Sequence, residues 1–255
     1  MSARSTLAEI MDEPGTDPVE IVRSFRFIRW INRRMRGVDG LLRHLDDHRA
    51  DLGESLSLLD VGTGCADIPI AAVEWGRRRG VAIRAVGVDR LQASIDEAKR
   101  QVERLASRRA DELRRPSSRH DAAAPVSSHT IDLLQADAFE IDRRFEPRSF
   151  DLVHAGMFLH HFDEQRIVAL LRIMARVARR FVIWNDLSRS AWSRFGVRVL
   201  TIGQPRVVRH DAVLSVDKGF LEREVRDLVG RAGLPRARIV HWRWCGRFSA
   251  AIPIA

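Results

Sequence analysis

The chain has 255 residues, a net charge of +9 and two cysteines, Cys65 and Cys245. That suffices for one α/β domain with additions and excludes a disulfide framework. No apolar run approaches a membrane span, and Glu9, Asp12 and Glu13 stand where a signal peptide would be apolar, so a cytoplasmic protein is expected.

Residues 1–16 read as a loose leader closed by Pro14 and Gly15, with Asp12 or Asp17 placed to cap a first helix. The stretch after it is two-faced at helical spacing. Ile21, Phe25, Ile28, Ile31 and Met35 share one stripe, and Arg26, Arg29, Arg33 and Arg36 share another. This predicts a helix packed on the domain that can double as a pocket wall; the alternative is a basic face resting on an anionic membrane. A short helix is expected from Gly40 to His48.

Leu56, Leu58, Leu59 and Val61 form a nearly continuous apolar run, as in a strand covered on both faces, and Gly62 and Gly64 come directly after it. Glycines there let a ligand approach main-chain N–H groups at the start of the helix predicted for Asp67 to Arg78. The dinucleotide fingerprint needs a third glycine at the sixth position, which is Asp67, so that fingerprint fails. Val81 to Asp89 is a second buried strand. Its terminal acid lies 27 positions after Gly62 (89 − 62) and can accept ribose hydroxyls, cap the helix from Leu91, or both.

Arg115 to Ser128 reads as a flexible insertion. Strands are expected at Thr130–Gln135, at Phe150–Val153 and at Phe181–Leu187, with a helix from Asp163 to Arg179 before the last of these. A further helix is predicted from Lys218 to about Arg231, then two closing strands, Arg236–Trp242 and Arg247–Ile254. Residues 187–217 form an insertion beyond the strand ends, where open α/β folds take a second ligand. Asp186, Arg189, His210 and Asp211 there read either as a proton-handling cluster or as a salt-bridged loop.

Asp60-x-Gly62-x-Gly64 after a strand, Asp89 ending the next, Ala136-Asp137-Ala138 after the third and Leu159-His160-His161 after the fourth resemble, in order and spacing, the class I S-adenosylmethionine (SAM)-dependent methyltransferases. The likeness spans 52–255, with 1–51 as leader and cap helices, and is nearest to small-molecule enzymes of the ubiquinone/menaquinone and polyketide-associated kind. Many members have a third glycine where this chain has Ala66.

The resemblance implies a Rossmann-like seven-stranded sheet with helices on both faces and an antiparallel C-terminal hairpin. It also implies SAM as cofactor, held by Asp60, Gly62, Thr63, Gly64, Asp89, Arg90, Asp137, Ala138 and Ala155. The acceptor it suggests is a small phenolic, quinone-like or polyketide-derived molecule, methylated on O or C, in bacterial secondary metabolism. His160, His161 and His210 are the candidate bases, in no order.

No metal site is expected. Adjacent histidines should point to different sides with no acidic cluster beside them, and Ala155-Gly156-Met157 stand where the magnesium-dependent class needs an acid. Two other readings stay open: a nucleic-acid methyltransferase, which the net charge invites although the near-absence of lysine reads as a compositional habit, and for which the Pro-Pro-aromatic and Pro-Cys signatures are lacking, and a noncatalytic SAM-binding module. The sequence leaves oligomeric state open.

Overall fold

The computed structural model describes residues 4–10, 15, 17–114 and 129–254. The expected insertion at 115–128, the Asp12 cap and Pro14 lie outside the described residues, as do the side chains of Ile21, Phe25 and Arg33. The elements run α1 (Pro18–Arg34), α2 (Asp39–Asp47), β1 (Ser55–Val61), α3 (Asp67–Arg79), β2 (Ala82–Asp89), α4 (Gln92–Arg114), β3 (Thr130–Gln135) and α5 (Ile141–Arg144). They continue with β4 (Phe150–Gly156), α6 (Glu164–Val177), β5 (Ala178–Leu187), α7 (Ala191–Leu200), α8 (Arg206–Lys218), α9 (Glu222–Arg231), β6 (Arg238–Trp242) and β7 (Arg247–Pro253).

One seven-stranded sheet has the order β3-β2-β1-β4-β5-β7-β6. The first five strands are parallel, and β7 pairs antiparallel with both β5 and β6. The expected hairpin is therefore present. From β1 the chain steps outward to β2 and β3, then returns to pair β4 on the other side of β1. That reversal opens a crevice at the carboxyl ends of β1 and β4.

Alternation along β1 builds both halves of the core. Leu56 and Leu58 pack with Leu41 and Leu45 of α2 and Ala72 and Trp75 of α3. Leu59 and Val61 face the opposite layer, with Leu170 and Met174 of α6 and Leu228 of α9.

Two expectations need correction. The helix predicted from Lys218 to about Arg231 is present as α9 but starts later, at Glu222, because Lys218 ends α8. Between them the Phe220 amide donates to the Leu187 carbonyl (2.8 Å) and the Arg189 amide donates to the Phe220 carbonyl (3.0 Å), which ties the crossing to the end of β5. The leader is also not loose at 4–10. The Arg4 guanidinium lies 4.1 Å from the Phe220 ring centre and donates to the Lys218 carbonyl at 3.0 Å. The Ile10 amide donates to Asp211 (2.9 Å), and Glu9 is buried. Partners two hundred residues away hold this segment, and local composition does not reveal them.

Fully buried Trp184 meets Phe220 and Phe248 edge-on at 4.7 and 5.5 Å and donates its indole N–H to Asp186. Trp184→Ala should lower the unfolding free energy by about 3–5 kcal/mol, measured by urea denaturation.

Candidate active site

The turn after β1 uses three left-handed residues, Gly62 (φ +71°), Gly64 (φ +53°) and Ala66 (φ +61°). Gly62 is fixed by contact as well, since a Cβ there would lie 2.4 Å from the Phe158 ring. Ala66 is the one non-glycine of the three, and an L-residue in this region costs about 1–2 kcal/mol.

Asp60 is nearly inaccessible and braces the turn. It accepts from the Thr63 hydroxyl (2.7 Å) and pairs with Nδ1 of His154 (2.7 Å). The other ring nitrogen of His154 meets the Asn185 amide nitrogen at 2.7 Å. That amide only donates, so Nε2 accepts and Nδ1 carries the proton toward Asp60. His154, inside β4, has no counterpart among the expected site residues, because a histidine within a strand carries no local motif.

Asp89 accepts from the backbone amides of Gly64 (3.0 Å) and Leu91 (2.9 Å). Burial pushes its carboxyl above the ordinary range, against the pull of those amides, and the nearby Asp60 adds to the rise. Asp137 accepts from the Phe139 amide (2.9 Å) and caps a short turn that presents Ala138.

Asp60, Gly62, Thr63, Gly64, Asp89, Arg90, Asp137 and Ala138 all line one cavity of about 440 Å³ with Phe139, Phe158 and Phe162. Acceptor-only carboxylates, a side-chain-free turn and aromatic walls fit an adenosine bearing a cationic tail. Ala155 is a correction. It is fully buried in β4 opposite Val61 and Trp184, and Gly156 and Met157, where the chain leaves the sheet, take the wall position.

Leu159–His161 forms a single tight turn that sets the rings of His160 and His161 side by side, their centres 4.3 Å apart. The expectation that the two histidines diverge is therefore wrong, and an acid does accompany them. Glu9 Oε1 lies 3.8 Å from His160 Nε2 and 3.9 Å from His161 Nδ1. The three are close enough to share a cation, and Lys218 Nζ, 3.2 Å from Glu9, already supplies a positive charge.

His160 Nδ1 pairs with Asp186 at 2.7 Å. Burial pushes the Asp186 carboxyl up. The charge and hydrogen bond of His160, with the Leu187 amide and Trp184 indole, outweigh it and hold the group below the usual carboxylate range. An ionised Asp186 only accepts, so Nδ1–H points at it, and in the neutral ring Nε2 carries the lone pair on the side of Glu9.

His210 is the second correction. Asp211, Ser215 and Lys218 share the inner face of α8, whereas the His210 side chain is 47% exposed and, among the described residues, pairs with Asp211 alone at 2.9 Å. Of the two readings of Asp186, Arg189, His210 and Asp211, the salt-bridged one fits: Arg189 turns to the Gly219 carbonyl and Glu224, and His210 pairs with Asp211.

A second cavity of about 160 Å³ adjoins the first and is mostly apolar. Phe27, Ile31 and Met35 come from α1, Trp192, Val197 and Leu200 from α7, and Val208 and Val216 from α8. The insertion expected at 187–217 is thus two helices forming a wall. Glu9, Ile28, Asn32, Met157 and Ser215 border both cavities.

Residues 59–181, just under half of the chain, match the family described as "Methyltransferase domain". Three solved structures share the fold. The plantazolicin methyltransferase, solved with a triazolic desmethylplantazolicin analogue and SAH, is 12% identical with a TM-score of 0.60, covering 94% of this chain and 92% of its own. A SAM-dependent methyltransferase from Aquifex aeolicus is 15% identical with a TM-score of 0.58, covering 94% and 99%. The magnesium protoporphyrin IX methyltransferase from Synechocystis PCC 6803, solved with SAH, is 14% identical with a TM-score of 0.56, covering 96% and 91%. No curated protein matches the chain.

Gly62→Ala places a methyl group against the Phe158 ring at a strained φ. It should cost about 1–3 kcal/mol of stability, read by thermal denaturation.

Proposed function

We propose that this chain, a class I SAM-dependent methyltransferase, methylates O or C of a small apolar acceptor that is phenolic, quinone-like or polyketide-derived. The carrying observation is the apolar cavity under α1, α7 and α8, which meets the polar cavity at Glu9, Ile28, Asn32, Met157 and Ser215. In this reading residues 1–51 cap the site and 52–255 form the catalytic domain.

Asp89 accepts the ribose hydroxyls, Asp137 the adenine amino group, and the Gly62–Gly64 turn lets the cofactor lie on the main chain. SAM, when bound, supplies a methyl group on a positively charged sulfur. The rest is alignment, exclusion of water and one proton. His160 takes that proton from the acceptor at Nε2, and Asp186 holds the ring and stabilises the imidazolium that forms. Glu9 and Lys218, buried together at the junction, keep the approach polar where the apolar wall ends.

No described helix is long and apolar enough to cross a membrane. The exposed charged side chains between Ser188 and His210 are all arginines, and Trp192, Phe195, Val199 and Ile202 are exposed among them. That combination supports contact with an anionic membrane surface beside the apolar cavity.

His160→Gln should lower kcat about 10²–10⁴-fold with a naphthol acceptor while SAM affinity is kept, and His210→Gln should leave both unchanged. Equal loss in the two variants contradicts the assignment. SAM binds ionised Asp89, so its affinity should fall as pH drops through a value above the ordinary carboxylate range. In Asp89→Asn the affinity should be about 1–3 kcal/mol weaker at neutral pH and independent of pH there, checked by calorimetry across pH.

A further inference from the structure

Two arginines are buried near the end of β5, and they differ in one respect. Arg189 donates to the Gly219 carbonyl and forms an ion pair with Glu224. Arg247, at the start of β7 and 4% exposed, makes one side-chain hydrogen bond, from Nη2 to Asn32 Oδ1 at 3.0 Å. Among the described residues no carboxylate forms an ion pair with it. Burial lowers its pKa, yet a guanidinium keeps its charge in any protein setting.

A buried cation with no paired carboxylate, only the more distant pull of Asp186 and Asp39, is an expensive feature for a fold to carry. Arg247 lines the apolar cavity together with Asn32, and the walls there are Met35, Trp192, Leu200 and Val216. One N–H of its five-donor fork is spoken for, which leaves the rest to whatever fills that cavity.

We propose that Arg247, held by Asn32, binds an anionic oxygen of the acceptor: a carboxylate or an ionised phenol or enol on an apolar scaffold. The proposal rests on the apolar cavity being the acceptor site and narrows its substrate class. The apolar walls take the ring system by area. The guanidinium takes the oxygen, at a strength that water-excluded surroundings raise. Asn32 and the distant carboxylates offset part of the cost of burying the cation, and bound substrate offsets more, so the residue favours occupancy and specificity over stability.

The test is calorimetry of the full chain with SAH present, using 2-naphthoate, 2-naphthol and 2-methylnaphthalene as probes. Wild type should bind an anionic probe about ten- to hundredfold more tightly than 2-methylnaphthalene, and Arg247→Met should abolish that preference while Arg247→Lys keeps part of it. Preference for naphthoate identifies a carboxylate. Preference for naphthol that grows with pH identifies a phenolate. Without ligand, Arg247→Met should melt at a higher temperature than wild type, the opposite of what a structural cation gives.

Equal binding of the three probes by wild type overturns the proposal, as does a preference that survives in Arg247→Met. Either result leaves the methyltransferase reading intact, because SAM binding and transfer to a neutral phenol do not depend on it. Failure of all three probes to bind counts against the acceptor cavity itself.

Discussion

The short bond between Asp186 and His160, 2.7 Å and shielded from water, is the contact on which the site depends. It joins the end of β5 to the turn after β4, and Asp186 also accepts from the backbone amides of His160 and Leu187 and from the Trp184 indole. Four donors on one carboxylate fix its position and keep it ionised. The imidazole then has one tautomer and one orientation, and its other nitrogen lies 3.8 Å from Glu9, which borders both cavities. Losing the carboxylate would release the ring and the turn together.

Around that bond the chain buries charges in graded company. Glu9 has Lys218 and Ser215, Arg189 has Glu224, and Asp60 has Thr63 and His154. In each set hydrogen bonds within the protein meet much of the desolvation, although the Nε of Arg189 is buried without a partner. Arg247, by contrast with these groups, relies on a neutral amide, and it stands on the apolar cavity rather than in the sheet interior. Stability and binding thus make opposite demands on that residue, as is common where a fold carries a ligand.

Much of the architecture is legible in the sequence because it rests on short-range signals. An apolar run ending in Gly-x-Gly marks β1 and its turn, and Thr130–Gln135 has the same bounds in sequence and structure. Asp89 and Asp137 are identifiable because each comes at or just after a strand end. Residues brought in from far along the chain are not legible. Glu9 sits in a leader with no pattern, His154 is masked by its strand, and the role of Arg247 depends on what does not surround it. His210 misleads because helical phase decides which face of α8 meets the cavity, and its segment carries no clear helical pattern. Ala155 is wrong by one residue at a strand end, where the next position turns outward.

The central claim is that cofactor and acceptor occupy two adjoining cavities, one polar at the glycine turn and one apolar beneath α1 and α7. Hydrogen–deuterium exchange of the full chain with SAH, with 2-naphthoate and with both tests it most directly. SAH should slow exchange at residues 62–66, 89–92 and 137–140, naphthoate at 24–35 and 191–200, and the two together should protect both sets. Protection by SAH elsewhere, or displacement of one ligand by the other, would contradict the account.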